Sequence, residues 1–560
     1  MNERARNSAG TSQPAPVRMG RAIGISAATM VSRVLGLVRE QVFAALLGAG
    51  RYTDAFVVAF RIPNLLRDLF AEGALSAGFV PAFADYDRNR GRSEAWRLAN
   101  LVVGLVLLAV GAVTLLGIAF APQLVRLIAP GFAPEQVLLS ARLTRIMMPF
   151  LPLVSLAAVA MGMLNAQARF TAPALAPALF NVAAIATGAG LWLFGAGPRA
   201  AVVGWSVGTL AGGLLQLLAQ VPSLWSLGYR PRPVFSRASL AEPGVRRIVR
   251  VLGAALIGLS AVQVNVFVST IFASREEAAV SWLNYAFRLM QLPLGVFGVA
   301  IATVAGAGVA HRAAAKDLPG AQETLGSAMR LVAFLNVPSS VGLVVLANPI
   351  IALIYEHRAF TAADTAGTGQ ALVFYALGLY GYSAVKVFAP AFYALDRARV
   401  PVLGSVLGMV SNVVLNLVLY PRIGYRAVAL GTSAAAVVNF AVLAIAWKRG
   451  YGGLGSAGIY RQLARVAAAS VVLAGVAFGS MRLLAVALPP HGLVRQAVLA
   501  LVPIGLAVPA YFAAARLLGI RELDEVLRVL RRRRTSGRPP AAAPSAHSLA
   551  SRASRWLRRH

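Results

Sequence analysis

The stretch SRVLGLVREQVFAALLGAGRYTDAFVVAFRIPNLLRDLFAEGALSAGFVPAF, residues 32–83, decides how this chain folds. Its long segments are apolar enough to lie in a membrane, yet they hold four arginines and four acidic residues. A charged side chain at the centre of a bilayer costs at least about 2.5–3.5 kcal/mol, so it usually faces a protein interior or a wet cavity. The stretch therefore predicts a charged interior within a membrane protein. The charged residues of these segments are Arg33, Arg39, Arg61 and Arg67, with Glu40, Asp54, Asp68 and Glu72, and the stretch also holds Arg51 in the loop between the two spans.

The whole chain has the composition of a polytopic membrane protein. Its 560 residues are 58% hydrophobic and 13% charged, and its mean hydropathy is +0.70. Apolar runs of about 20 residues or more recur throughout, each long enough to cross a hydrocarbon core of about 30 Å. We predict an all-α polytopic membrane protein with about fourteen transmembrane helices. The runs lie near 22–48, 54–85, 97–121, 137–165, 173–196, 200–222, 247–272, 278–310, 322–348, 364–394, 401–420, 426–447, 462–486 and 494–518.

The net charge of +33 fits a membrane better than nucleic acid. Arginines in short loops next to anionic phospholipid explain the charge without a nucleic-acid partner. The chain has no cysteine, which excludes disulfides and thiolate chemistry, and its five histidines lack metal-ligand spacing. No catalytic motif has its required context, so we predict neither an enzyme, a metal site nor a cofactor.

The distribution of Lys and Arg predicts the orientation. Loops after the even-numbered spans are mostly richer in basic residues than the loops between them, and an even number of spans places both termini on the same side. Both termini are therefore predicted to be cytoplasmic. Residues 1–21 carry no cleavable signal with an apolar core, so the first span is predicted to stay. Residues 519–560 are predicted to form a basic tail, and the sequence does not assign a role to it.

The two halves of the chain align weakly with each other. AFRIPNLLRDLF at 59–70 matches AFRLMQLPLGVF at 286–297, an offset of 227, and two more pairs match at 228. They are PGFAPEQ (130–136) with RAFTAAD (358–364), and ARFTAP (168–173) with DRARVP (396–401). This repeat predicts two parallel six-helix lobes. Transporters with this arrangement bind their substrate between the two halves. The predicted regions are the tail 1–21, the first lobe 22–222, the linker 223–246, the second lobe 247–447, two extra helices within 448–518, and the tail 519–560.

Span two has one polar face. At ~100° per residue, Asp54, Arg61, Asp68 and Glu72 fall within roughly 30° of one direction, so this face lies against the bundle interior. Asn64 lies at its edge and Arg67 further round. In span one, Arg33 and Arg39 point about 120° apart unless a bend at Gly36 brings them together. Internal ion pairing, such as Arg61 with Asp68, is the alternative to ligand binding, and the role of Arg61 stays open.

The acidic residues are unevenly distributed. There is none between Glu135 and Glu242 or between Asp396 and Glu522. Arg288 lies inside span eight with no acid nearby in sequence, and an unpaired buried guanidinium is costly, which favours an anionic ligand there. Because arginine binds phosphate with two parallel hydrogen bonds, the predicted substrate carries phosphate or carboxylate. An exporter of cations would need carboxylates in its cavity.

Five segments resemble the MurJ (MviN) family of the multidrug/oligosaccharidyl-lipid/polysaccharide exporter superfamily: residues 32–40, 53–83, 130–132, 281–304 and 386–402. The resemblance implies a V of two six-helix lobes and two extra helices, within 448–518, that form a groove for the lipid tail. It implies a flippase for lipid II, the undecaprenyl-diphosphate-linked peptidoglycan precursor.

By motif, the resemblance assigns the headgroup to a cationic cavity formed by Arg33, Arg39, Arg67 and Arg288. Glu40 stands where the family has Asp, and Asp54 and Glu72 match acidic positions. Two departures, Phe287 in place of Asp and Gln291 in place of Glu, leave Arg288 with less neutralisation nearby in sequence. The supporting residues are Glu40, Asp54, Arg61, Asn64, Asp68 and Glu72.

These observations predict a lipid II flippase of the bacterial inner membrane that works by alternating access as a monomeric unit. Its expected partners are lipid II and anionic phospholipids. Either the membrane potential or a coupling ion is the expected driving force. The alternatives are an O-antigen or capsule lipid-oligosaccharide flippase, a drug–cation antiporter of the same superfamily, and a membrane scaffold that recruits partners through its basic tail.

Overall fold

The computed structural model describes residues 19–67, 74–235, 240–454, 459–489, 492–524 and 528, and these form helices joined by short turns, without a strand. The first half contains α1 (Met19–Leu47), α2 (Arg51–Arg67), α3 (Ala74–Asn89), α4 (Arg92–Ala119), α5 (Ala121–Ile128), α6 (Pro134–Met147), α7 (Phe150–Ala166), α8 (Thr171–Leu193), α9 (Pro198–Leu218) and α10 (Val221–Ser226). The second half contains α11 (Pro243–Ala273), α12 (Ala279–Pro293), a π-helical turn (Leu294–Gly298), α13 (Val299–Ala314), α14 (Leu318–Val345), α15 (Ala347–Tyr355), α16 (Ala362–Ala376), α17 (Leu379–Ala394), α18 (Arg399–Ile423), α19 (Arg426–Tyr451), α20 (Ile459–Ala487) and α21 (Leu493–Leu517).

Helices lie over every predicted span, which confirms an all-α polytopic membrane protein. Among the described residues, ten helices are long and apolar enough to cross a membrane, or eleven if α16 and α17 form one span bent by 44°. The count of fourteen stays a prediction.

Several spans predicted as single helices are interrupted. Span four is divided between α6 and α7 at Met148–Pro149, and Pro293 immediately precedes the π-helical turn in span eight. Proline removes a backbone hydrogen bond and clashes with the preceding turn, so breaks at these positions follow from its chemistry. In span two the structure describes α2 and α3, while residues 68–73 between them, with Asp68 and Glu72, lie outside the described residues.

The packing follows the internal repeat. One apolar core is formed by buried residues of α3, α4 and α7, with Leu224 of α10, Tyr229 and the first turns of α11, and another by buried residues of α13, α14, α17 and α19. The largest core contains residues of both halves, where α2 contacts α12 and α1 contacts α15. The last two helices pack on α14, where the Tyr511 hydroxyl donates to the Phe334 carbonyl oxygen at 2.7 Å. The boundaries of the predicted lobes stay predictions.

The linker between the halves lies against the first half. The Tyr229 hydroxyl donates to Asn100 Oδ1 at 2.8 Å, and the Val234 amide donates to the Asn100 carbonyl oxygen at 3.3 Å. At the start of α11, Glu242 accepts a hydrogen bond of 2.6 Å from the Tyr86 hydroxyl. The first turns of α11 are therefore held by α3 and α4.

Candidate functional site: a cationic cavity between the lobes

A cavity of about 610 Å³ lies between the two halves of the bundle. Residues of α1, α2, α8 and α9 form one wall, and residues of α11 and α12 form the other. Its charged lining consists of four arginines and one glutamate, so the described lining carries an excess of positive charge. The lining residues are Arg39, Glu40, Phe43, Phe56, Val57, Phe60, Arg61, Asn64, Leu65, Arg67, Phe180, Trp205, Thr209, Gln263, Val266, Asn284, Phe287, Arg288 and Gln291.

Glu40 connects the two walls of this cavity. Its Oε1 atom lies 2.5 Å from Arg39 Nη2, and its Oε2 atom lies 3.2 Å from Arg288 Nε. Glu40 is buried, whereas the Arg288 side chain is 42% exposed. The carboxylate missing from the sequence around Arg288 is thus supplied by α1, on the opposite wall. Phe287 and Gln291 leave Arg288 without an acid nearby in sequence, but the fold provides one.

The ring of Phe180 forms the other support of Arg39. The guanidinium carbon of Arg39 lies 5.3 Å from the ring centroid, within the range of a cation–π interaction. Arg39 is therefore held between an aromatic face and a carboxylate, which fixes the direction of its guanidinium. The polar lining residues Gln263 and Asn284, and the aromatic residues Phe180 and Trp205, are absent from the sequence prediction. For Gln263 and Asn284, the sequence feature that could have identified them as lining residues is a polar side chain within an apolar span.

Span two contributes Arg61, Asn64 and Arg67 to the cavity. Arg61 also donates through Nη1 to the Thr270 hydroxyl on α11. Arg61 therefore both lines the cavity and contacts the opposite wall, a combination that the sequence leaves open. The polar face predicted for span two does face the bundle interior at Arg61, and Asn64 at its edge and Arg67 further round also line the cavity.

Arg33 lies apart from the other predicted arginines. Helix α1 is continuous from Met19 to Leu47, and Arg33 and Arg39, which are six residues apart, point about 120° apart around a regular helix. Arg33 is exposed and is not among the residues that line the cavity. Its Nη1 atom lies 3.6 Å from the place a Cβ would occupy at Gly295, in the π-helical turn. A direct contact of Arg33 with the cavity is therefore absent in this conformation.

Asp54 also lies outside the cavity, at the end of the bundle where α1 is followed by α2. Its Oδ2 atom accepts a hydrogen bond of 2.9 Å from the Ala278 amide, and its Oδ1 atom accepts one of 2.8 Å from the Ser281 amide. The Ser281 hydroxyl donates to the same Oδ1 atom. Asp54 thus caps the first turn of α12 from the opposite half, in the manner of an N-cap carboxylate.

Close backbone contacts complete this connection, which we call the α1–α2 seal and define by Gly48, Asp54, Ser281 and Ala359. The Ala359 amide donates to the Ala45 carbonyl oxygen at 3.3 Å. Gly48 has φ +64°, and a Cβ there would lie 2.3 Å from the Ala359 carbonyl oxygen. A side chain at position 48 would therefore separate the two halves.

The fold and the cavity define a class: a two-lobed, polytopic membrane protein with a cationic cavity between its lobes. The solved structure titled "Lipid II flippase MurJ, inward closed conformation" has a TM-score of 0.74 at 24% identity, covering 88% of this chain and 98% of that one. An inward-facing multidrug resistance MATE family transporter of the MOP superfamily has a TM-score of 0.61 at 18% identity, covering 80% of this chain and 98% of that one. At these identities, both comparisons support the shared fold.

Sequence comparison is more specific. The family profile described as "Lipid II flippase MurJ" matches residues 43–494. A probable lipid II flippase MurJ of Vibrio cholerae is 33% identical over 517 residues, covering 89% of this chain and 96% of the relative. The lipid II flippase MurJ of Burkholderia cenocepacia is 34% identical over 463 residues, covering 81% and 88%. The chain belongs to the MurJ family, which confirms the resemblance found in its motifs.

Proposed function

We propose that this protein moves lipid II across the cytoplasmic membrane, from the inner to the outer leaflet, for cell-wall synthesis. The observation that carries the proposal is the cavity between the lobes, in which Arg39, Arg61, Arg67 and Arg288 outnumber the single carboxylate of Glu40. The diphosphate of an undecaprenyl-linked precursor is an anion of matching charge. Planar guanidinium groups bind phosphate oxygens through paired hydrogen bonds.

In this proposal Glu40 is a competitor of the substrate. It neutralises Arg39 and Arg288 while the cavity holds no phosphate, and the entering diphosphate takes over one or both arginines. Because these arginines come from opposite walls, exchanging Glu40 for the diphosphate changes a contact between the lobes. Substrate binding is thereby coupled to lobe movement, as alternating access requires.

The cavity volume indicates which part of the substrate it holds. About 610 Å³ lies within the range of about 300–1,000 Å³ that is typical of small-molecule sites. This space suits a diphosphate with adjacent sugar, while a peptide on the sugar extends beyond it. The polyprenyl tail stays in the lipid, for which the groove expected within 448–518 is the proposed path.

The proposed orientation follows the positive-inside rule, with both termini in the cytoplasm and the α1–α2 seal at the outer face. The inner membrane of a bacterium is the proposed location, and anionic phospholipids next to the arginine-rich loops are proposed partners. A membrane potential acts on charge at about 2.3 kcal/mol per elementary charge per 100 mV, so it can drive a cationic cavity or its anionic ligand. This potential, or a coupling ion, is the proposed driving force, and one chain is the proposed transport unit.

Complementation tests the proposal. Cells depleted of their own lipid II flippase are expected to regain growth and accumulate lipid II in the outer leaflet when this protein is produced. A parallel strain that lacks its O-antigen flippase tests the alternative substrate, and we expect no rescue there. Failure to restore growth despite verified membrane expression would contradict the proposal.

A further inference from the structure

A lysine in the middle of α17 is not used by the mechanism described above. The chain has only three lysines among its 53 basic residues. Lys316 follows the end of α13, and Lys448 lies in the last turn of α19. Lys386 instead lies about eight residues before the end of α17 at Ala394, or about 12 Å along the helix axis.

Lys386 makes no polar contact with the part of the chain that the structure describes. Its side chain is exposed, and the described residues give its ammonium group no hydrogen bond or salt bridge. Transferring such a charge into hydrocarbon costs at least about 2.5–3.5 kcal/mol, so intramembrane lysines face a protein interior or a water-filled space. The question is therefore which space Lys386 faces.

Two contacts place α13 relative to α17. A Cβ at Gly298 would lie 2.7 Å from Ser383 Oγ, and a Cβ at Gly306 would lie 3.3 Å from Pro390 Cβ. The face of α17 that holds Ser383 and Pro390 therefore packs against α13 and the π-helical turn. At ~100° per residue, Lys386 lies about 40–60° round the helix from these two residues.

The other side of α17 packs inward. Ala384, Val387 and Ala391 are fully or almost fully buried and belong to one core with Met329 and Val332 of α14. Helix α14 in turn packs against α20, at the periphery of the second half. Lys386 is roughly 100–160° round α17 from these buried residues, so it points away from that periphery. Tyr382, one turn before Lys386 and about 40° round the helix from it, packs against the core that contains residues of both halves, so Lys386 lies on the side of α17 towards that core.

Arg33 reaches the same region from the first half. Its Nη1 atom lies beside Gly295, and Gly298 in the same π-helical turn packs on Ser383, one turn before Lys386. Two cations from opposite lobes thus flank the π-helical turn. We call the space beside Arg33, Gly295 and Lys386 the vestibule.

The vestibule lies at a different depth from the cavity arginines. Lys386 lies between the levels of Gly298 and Gly306 on α13, about 14 residues beyond Arg288, which corresponds to about 20 Å along the helices. Each extended peptide residue adds about 3.3–3.6 Å, so about six residues span this separation, and fewer when sugars contribute. A lysine ammonium is a point charge suited to a single carboxylate, whereas the arginine forks suit phosphate.

We propose that Lys386 binds a carboxylate of the peptide part of the lipid-linked substrate, while the cavity arginines bind its diphosphate. The proposal rests on the proposed function and deepens it by adding a peptide subsite. Arg33, on the opposite side of the π-helical turn, is a second cation for the same part of the substrate. The peptide then extends from the cavity into the vestibule.

The experiment compares two ligands on the purified full-length protein: lipid II, and the same undecaprenyl-diphosphate disaccharide without its peptide. Lys386→Ala is expected to weaken lipid II binding about tenfold and to change binding of the peptide-free lipid less than twofold. Lys386→Arg keeps the cation and is expected to remain within about threefold of the unmodified protein for both ligands. Lys448→Ala, at a helix end, is the matched control and should change neither.

The outcomes separate this proposal from the proposed function. Equal losses for both lipids, or no loss for either, would overturn the peptide subsite while leaving the flippase proposal intact. If the unmodified protein binds neither lipid, the flippase proposal fails and the subsite fails with it. Arg288→Ala is expected to weaken both lipids alike, which marks a diphosphate contact as distinct from a peptide contact.

Discussion

In the α1–α2 seal, the carboxylate of Asp54 accepts hydrogen bonds from two backbone amides and a hydroxyl at the start of α12. In the cavity, the carboxylate of Glu40 is shared between two arginines and lies among four. Both acids belong to the first half, and both contact the second. Asp54 accepts hydrogen bonds from donors without a net charge, whereas Glu40 leaves positive charge unneutralised among four arginines. The first contact joins the lobes, and in the proposed mechanism the second responds to an anion.

The difference shows that the number of cations around a carboxylate, rather than the presence of the carboxylate alone, decides whether an anionic ligand can replace it. An N-cap carboxylate contributes about 0.5–2 kcal/mol through fixed backbone donors. An arginine pair keeps donors that a phosphate can also use. The four predictions below test this contrast, from the largest expected effect to the smallest.

Arg288→Ala is expected to abolish complementation and to weaken binding of undecaprenyl diphosphate by about 30-fold or more. Removing a hydrogen bond to a charged group costs about 1.5–3 kcal/mol, and each 1.4 kcal/mol is a factor of ten. Titration of the purified variant with the lipid measures the loss. Arg449→Ala, in the last turn of α19, is the control. If Arg288→Ala itself supported growth and bound the lipid within about threefold of the unmodified protein, Arg288 would not be a ligand-binding residue.

Gly48→Ala is expected to open the seal. The left-handed conformation costs a residue with a Cβ about 1–2 kcal/mol, and the Cβ would also collide with the Ala359 carbonyl oxygen. Gly50→Ala is the matched control, since Gly50 also has a positive φ but no atom within 4 Å of its Cβ position. Thermal unfolding and complementation of both variants separate backbone strain from the collision. Equal effects of the two substitutions would contradict a role for close packing at Gly48.

Glu40→Gln is expected to strengthen binding of undecaprenyl diphosphate by about tenfold and to slow lipid II translocation. The substitution removes the competing negative charge from the cavity, and it also removes the link between Arg39 and Arg288. Binding and translocation, measured in parallel on one preparation, are expected to change in opposite directions: the affinity rises and the translocation rate falls. Glu40→Asp keeps the charge and serves as control. Weaker binding in Glu40→Gln would show that Glu40 orients the arginines rather than competing with the substrate.

Asp54→Asn is expected to weaken the seal by about 1 kcal/mol, because asparagine still caps a helix but loses charge-assisted hydrogen bonds. The chain has no cysteine, so a pair introduced as Ala45→Cys and Ala359→Cys reports on the seal without background. The two backbones meet through the amide of Ala359, and we expect this pair to cross-link. Asp54→Asn should lower the cross-linking rate about two- to fivefold. An unchanged rate would mean that the backbone contacts hold the seal alone.

Much of the site follows from the sequence by local geometry. Helical periodicity predicts Arg61 on the inner face of span two, Asn64 at its edge and Arg67 further round, and all three line the cavity. Asp54 points in nearly the same direction by helical periodicity but lies in the seal. Periodicity gives the direction of a side chain around a helix axis and says nothing about its depth along that axis. Arg33 also lies outside the cavity lining, since six residues along the continuous helix α1 separate it from Arg39.

The contact between Glu40 and Arg288 could not be predicted in the same way. The sequence shows Arg288 without an acid nearby, which favours a ligand as its partner. Its carboxylate comes instead from α1, on the other wall of the cavity. Contacts between elements far apart in sequence depend on how two lobes dock, and no local pattern records that docking.

The sequence by itself determined that the helices lie in lipid, that the interior carries positive charge, and that the chain belongs to the MurJ family. Apolar runs of membrane length specify helices in lipid, because every backbone group must be paired within the segment. Arginines without nearby acids predicted a cationic interior, and the motifs identified the MurJ family. Only the tertiary structure decided which carboxylate seals the lobes and which one competes for the arginines. The reason is physical: residue types determine what must be buried or neutralised, whereas the docking of two lobes determines which groups meet.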